Sequence, residues 1–139
     1  MTTLTFSYTE QEHPVFGKIT RPLMKISLYS ERFGEWLSVN KVLVDTGADI
    51  SVVPLPLGQI LVPDVELGQP IQLGGMLSSN VMVNAFMHRI QTRIESHLFE
   101  MPVAVSTSLT IPPILGRQDA LNRFKVSFVD GKKLILEIS

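Results

Sequence analysis

The sequence contains no cysteine. This absence excludes disulfide bonds, a thiolate nucleophile and metal sites built on cysteine, and it fits a reducing compartment. The chain also lacks the unbroken run of about 18–20 apolar residues that a membrane-spanning helix needs. Its first residues, Met1 to Phe6, have neither the basic start nor the apolar block of a signal peptide. We therefore expect a cytoplasmic protein without a membrane partner.

An excess of charge of one sign is missing too. Lys and Arg number 12 against 13 Asp and Glu, so the formal net charge is -1. A nearly neutral surface argues against nucleic acid as the main partner. His13, His88 and His97 lack the close spacing of metal ligands. We therefore predict no metal site and no cofactor.

The patterns that are present indicate strands and turns within one domain. The length of 139 residues and the 45% hydrophobic content suit a single globular domain. "PLMKISLY" alternates apolar and polar residues, which predicts a hairpin over residues 18–44. Two further hairpins are predicted, one with Gly74 and Gly75 at its tip and one around Asp130 and Gly131. The proline-rich residues 54–70 read as a loop with at most a helical turn, and Arg117–Phe124 is the best helix candidate.

The apolar run Val42–Val44 ends abruptly in Asp45, which is followed by Thr46 and Gly47. A carboxylate at the end of an apolar strand is costly to desolvate unless it is hydrogen-bonded or used. Asp45 is therefore either a capped turn residue or part of a site. Asp and Gly are common in turns, so the three residues alone favour the turn.

A second motif changes that balance. Leu43–Asp49, "LVDTGAD", resembles the active-site loop of aspartic proteases, and the distant "ILGR" of Ile114–Arg117 resembles a segment of the retropepsin branch. The resemblance implies an all-β, closed-barrel-like retropepsin fold with one short helix near the C-terminus. It covers residues 18–139, and residues 1–17 are left as an N-terminal extension of unknown role.

The resemblance also implies a mechanism. Two carboxylates that share one proton can activate a water and polarise a peptide carbonyl. This chain supplies one such carboxylate, Asp45, because Asp130 lacks a Ser or Thr before its glycine and reads as turn. We expect an aspartic endopeptidase that works as a homodimer on extended peptide segments, with Asp45 of each copy at the two-fold axis. In viral members both termini interleave in a dimer sheet, and here Leu134–Ser139 is the segment that could do so.

The same resemblance assigns roles to neighbouring residues. The residues expected to support the active-site loop are Thr46, Gly47, Ala48, Asp49 and Arg117, with Asp49 and Arg117 forming an ion pair. The residues expected in the cleft floor are Ile114, Leu115 and Gly116. The residues expected in a flap that closes over the substrate are Leu73, Gly74, Gly75 and Met76.

Other readings of these residues stay open. Asp49 and Arg117 could form an ordinary structural pair, and Gly74 and Gly75 could be a plain hairpin turn. The chain as a whole could be a catalytically silent module of the same fold that binds peptide or protein. It could also be a purely structural β-domain, which leaves the late Ile114–Arg117 motif unexplained.

Overall fold

The structure is a computed structural model that describes residues 2–74 and 82–138. Within these ranges the strands are β1 (Thr2–Ser7), β2 (Thr9–His13), β3 (Gly17–Arg21), β4 (Leu23–Ser30), β5 (Glu35–Val44), β6 (Ser51–Val53), β7 (Gln69–Gly74), β8 (Met82–Ile94), β9 (His97–Ser106), β10 (Ile114–Leu115), β11 (Lys125–Val129) and β12 (Lys133–Ile138). The helices are α1 (Leu55–Leu61) and two 3₁₀ helices, η1 (Val65–Leu67) and η2 (Leu121–Arg123).

Six strands close into a barrel in the order β4-β5-β10-β6-β9-β8. The ring is closed by antiparallel pairing of β4 with β8, at Ser27 with Arg93 and at Leu28 with Thr92. Strand β7 extends the sheet beyond β8. The prediction of an all-β, closed-barrel-like fold is confirmed.

The β4–β5 hairpin follows the sequence pattern that predicted it. In β4 the side chains of Met24, Ile26 and Leu28 are buried, whereas Lys25 between them is exposed. Antiparallel pairing runs from Ser30 with Glu35 at the turn to Leu23 with Leu43 at the other end. The hairpin therefore carries the chain to Asp45 at the end of β5.

Two apolar clusters fill the molecule. The larger one joins barrel residues such as Leu28, Ile90 and Leu115 to residues of α1, β1 and β12. The smaller one includes Val52, Leu73, Val83 and Ile114, and Ala48 and Ile50 pack against it. The second cluster therefore lies directly beneath the segment that follows Asp45.

The two ends of the chain form a separate sheet in the order β1-β12-β11. The predicted C-terminal hairpin is confirmed, and its turn residues Asp130 and Gly131 are left-handed, with φ of 54° and 65°. Strand β12 pairs with β11 on one edge and β1 on the other, so both of its edges are occupied within one chain. Strand β2 pairs with β3 across the boundary drawn between residues 17 and 18, and that division stays a prediction.

The helical segments differ in detail from the sequence prediction. The predicted helix near the C-terminus is present as the single 3₁₀ turn η2, because Asp119 just before it has a left-handed φ of 50° that breaks an α-helix. The proline-rich segment, for which the sequence predicts a loop with one helical turn, holds the seven-residue α-helix α1. Among the residues that the structure describes, no helix is long and apolar enough to cross a membrane.

Candidate active site

Asp45 begins a tight turn directly after β5. Its N–H donates to the carbonyl of Leu115 at 3.1 Å, which continues the parallel pairing of β5 with β10. One carboxylate oxygen, Oδ1, accepts the N–H of Gly47 at 2.9 Å, and the carbonyl accepts the N–H of Ala48 at 3.2 Å. Asp45 is half-buried. Its hydrogen bond with the Gly47 N–H holds the carboxyl group in one direction.

The loop that follows Asp45 is tied to the residues after β10. The N–H of Arg117 donates to the carbonyl of Ala48 at 3.0 Å, and the N–H of Gln118 donates to the carbonyl of Asp49 at 2.9 Å. The guanidinium of Arg117 also pairs with the carboxylate of Asp49. The structure therefore brings together the two sequence motifs, which lie about 70 residues apart in the chain.

The ion pair itself is open to water. The side chain of Asp49 is 89% exposed and that of Arg117 is 46% exposed. Pairs this exposed contribute about 0–1 kcal/mol to stability. The Asp49–Arg117 pair therefore contributes little to stability, and it acts with the two backbone hydrogen bonds to orient the loop.

The three residues expected in the cleft floor lie below the loop and are buried. Leu115 is fully enclosed in the larger apolar cluster, and Ile114 belongs to the smaller one. Gly116 lies against the backbone of Ile50, so that a Cβ at this position would come 2.5 Å from the Ile50 carbonyl carbon. Only a residue without a side chain lets β10 approach the loop this closely.

A cavity of about 310 Å³ opens in front of Asp45. One side is the Asp45–Asp49 loop, where Thr46 and Gly47 are exposed. The facing side comes from β7, through Gln72, Leu73 and Gly74. Leu73 and Gly74, two of the four residues predicted for the flap, therefore line the same cavity as Asp45, while Gly75 and Met76 lie outside the described residues.

The lining of this cavity is mixed. Ile50, Val52 and Ile114 supply apolar surface, and Asp45, Asp49 and Gln72 supply polar surface. A larger cavity of about 730 Å³ is lined by Phe6, Ile26 and Arg93 and takes no residue from the Asp45 loop. We assign the site by its carboxylate and its loop geometry because the size of a cavity alone does not identify chemistry.

Sequence reasoning missed one residue of this region. Ser51 is 1% exposed, and its Oγ accepts the N–H of Gly116 at 3.0 Å. The signal in the sequence is a lone hydroxyl in the apolar stretch "ISVVP". A buried hydroxyl needs a hydrogen-bond partner, but the sequence does not say which backbone group provides it.

Comparison with known proteins gave matches among solved structures. No protein-family model and no curated protein sequence matches the chain. A retropepsin-like aspartic protease from Rickettsia conorii is 19% identical, with a TM-score of 0.55 over 96% of each chain. The EIAV protease complexed with the inhibitor HBY-793 is 22% identical, with a TM-score of 0.48 over 76% of this chain and 86% of that chain. By its similarity to the Rickettsia protein, the chain has the retropepsin-like aspartic protease fold.

Proposed function

We propose that the protein is an aspartic endopeptidase in which a water is activated between the Asp45 carboxyl groups of two identical chains. The observation that carries this proposal is the position of Asp45. Its carboxyl group lines a cavity that also has apolar walls, is held by the Gly47 N–H and is backed by the Ile114–Arg117 segment. A plain turn would not require this second motif beneath it.

The chemistry needs a second acid. With metal-free hydrolysis, one carboxylate takes a proton from water and the other, protonated, donates toward the carbonyl oxygen of the substrate. Two like charges held close together share a single proton, which keeps the two groups in these different states. One chain contributes one Asp45, and Asp130 lies in the turn between β11 and β12. A second copy is therefore the natural source of the partner acid.

The substrate that suits the cavity is an extended peptide with apolar side chains beside the scissile bond. Strand β7 lies at the end of the sheet, so an extended segment can align beside it, while Ile50, Val52 and Ile114 offer apolar surface. The Asp49 carboxylate also lines the cavity and can accept a hydrogen bond from a backbone N–H of the substrate.

The direct test is Asp45→Asn, which is nearly isosteric and keeps the oxygen that accepts the Gly47 N–H. We expect cleavage of a peptide library by the wild type and none by the variant, since an amide cannot share the proton. Circular dichroism should show the same fold for both proteins. Turnover that survives in Asp45→Asn would remove Asp45 from the mechanism, and a wild type that binds peptides without cleaving them would favour the silent binding module.

A further inference from the structure

One peptide unit, between Leu115 and Gly116, links Asp45 to a buried serine. Its carbonyl accepts the N–H of Asp45 at 3.1 Å, and its N–H donates to Oγ of Ser51 at 3.0 Å. A trans peptide is planar, and its C=O and N–H point in opposite directions. Asp45 and Ser51 therefore hold this plane from opposite sides, as expected from the position of β10 between β5 and β6.

The hydroxyl of Ser51 is well placed to accept. Ser51 is 1% exposed, and its hydroxyl donates to Met101, with 3.7 Å between Oγ and Sδ. Thioether sulfur is a weak acceptor, so the contact orients the hydroxyl without competing strongly for its oxygen. The lone pairs of Oγ are thus turned toward Gly116.

The Gly116 N–H depends on this acceptor. Strand β10 ends at Leu115, so the N–H lies beyond the ladder that pairs Ile114 with Val52. Gly116 is buried and packed against the backbone of Ile50. A backbone donor in such a place must have a partner, and the hydroxyl of Ser51 is that partner.

We propose that Ser51 is a positioning residue for Asp45. The inference rests on the proposed function and names a residue that fixes the geometry of the same site. The Ser51 hydroxyl fixes the tilt of the Leu115–Gly116 plane, and the tilt fixes the direction in which the Leu115 carbonyl holds the backbone of Asp45. Because a displacement of about 1 Å in a catalytic group can lower the rate by two orders of magnitude, a loosened plane should slow the chemical step.

The test compares Ser51→Ala with Ser51→Thr, which keeps the hydroxyl, and with Ser30→Ala as a matched control. Ser30 is also 1% exposed, accepts the N–H of Phe33 at 3.1 Å and donates to the carbonyl of Ile60 at 2.6 Å. It lies at the opposite end of the β4–β5 hairpin from Asp45. We expect kcat to fall about tenfold in Ser51→Ala with KM little changed, and to stay near wild type in Ser51→Thr and Ser30→Ala.

A second pair of variants protects the test against a folding defect. Thr and Val have the same shape, so Ser51→Val against Ser51→Thr isolates the hydroxyl even if Ser51→Ala does not fold. Amide hydrogen exchange of Gly116, measured by NMR, gives a readout besides activity. We expect Gly116 to exchange faster in Ser51→Ala and Ser51→Val than in wild type and Ser51→Thr.

Three results would overturn the proposal. The first is wild-type kcat in Ser51→Ala or Ser51→Val while Gly116 exchanges faster. The second is an equal loss of kcat in Ser30→Ala and Ser51→Ala, which would mean a general effect of stability. The third is turnover that survives Asp45→Asn, which defeats the proposed function and the catalytic role of Ser51 together. In the first two cases Asp45→Asn is still inactive, so the two failures can be told apart.

Discussion

Gly116 is the residue at which the site tolerates the least added volume. A Cβ there would lie 2.5 Å from the carbonyl carbon and 2.6 Å from the carbonyl oxygen of Ile50. Both atoms belong to the backbone, so no side chain can rotate away. We predict that Gly116→Ala lowers the free energy of unfolding by about 1–3 kcal/mol, the range for overpacking a close-packed site. The midpoint of urea unfolding at unchanged slope measures this loss.

Gly17→Ala provides the control for Gly116→Ala. A Cβ added at Gly17 would meet no atom within 4 Å, but the left-handed φ of 75° means that alanine there is strained without being crowded. We expect a loss of about 1 kcal/mol at Gly17. A smaller loss at Gly116 than at Gly17 would mean that the backbone of Ile50 yields easily and that the contact does not restrain the loop.

The residues named from the sequence differ in how far their positions could be foreseen. The resemblance of the two motifs to retropepsins predicted that Asp49 and Arg117 form an ion pair, and the structure contains this pair. Ser51 could not be assigned, because its partner is the N–H of Gly116, 65 residues away in the sequence. Contacts through backbone groups leave no residue-specific signal in a single sequence.

Strand β10 shows how one short element serves both packing and the site. Its two side chains point to opposite faces, with Leu115 at 0% exposure in the larger cluster and Ile114 at 8% in the smaller cluster beside the cavity. We predict that Leu115→Ala lowers the free energy of unfolding by about 2–5 kcal/mol. Ile114→Ala should lower it less and should mainly change KM for peptides, because Ile114 lines the cavity.

Urea unfolding and peptide kinetics on the two variants check this division of roles. Leu61→Ala is a suitable reference, since Leu61 is also 0% exposed in the larger cluster but lies in α1. Its stability loss should match that of Leu115→Ala. An Ile114→Ala variant with unchanged KM for every peptide of a library would contradict the assignment of Ile114 to the substrate cavity.

Helix α1 shows what element-level prediction missed. Prolines at residues 54 and 56 read as a loop, yet proline is tolerated in the first turn of a helix. The carbonyls of its last turn accept from the β4–β5 turn: Gln59 from the Arg32 guanidinium, Ile60 from the Ser30 hydroxyl and Leu61 from the Glu31 N–H. Because these caps come from about 30 residues earlier in the chain, local propensity could not reveal them.

The arrangement of the chain ends bears on how two molecules could meet. Strand β12 lies between β1 and β11, so its edges are already paired within one chain. An interleaved sheet through Leu134–Ile138 would first require β1 to separate, with loss of the buried Leu4 from the larger cluster. If the proposed dimer forms, we therefore expect it to meet around the Asp45 loops and to leave the pairing of β12 intact. Among residues 2–74 and 82–138, β1 and β11 are the outer strands of this sheet.

The shared-acid mechanism makes a quantitative prediction for mixed dimers. If each active site needs Asp45 from both copies, a dimer of one wild-type chain and one Asp45→Asn chain is inactive. After subunit exchange at constant total protein, activity should then follow the square of the wild-type fraction, so an equal mixture keeps about one quarter of the full rate. Independent sites in single chains would keep about one half of that rate.

The shape of the mixing curve separates these cases without knowledge of the natural substrate. Activity should also fall below linearity on dilution of the wild type, because only the dimer carries a complete pair of acids. The control is a double variant that combines Asp45→Asn with Phe33→Ser. Phe33 lies in the β4–β5 turn, at the end of the hairpin far from Asp45, so this variant should give the same mixing curve as Asp45→Asn alone. A linear mixing curve together with full activity in a demonstrably monomeric preparation would contradict the sharing of Asp45 between chains.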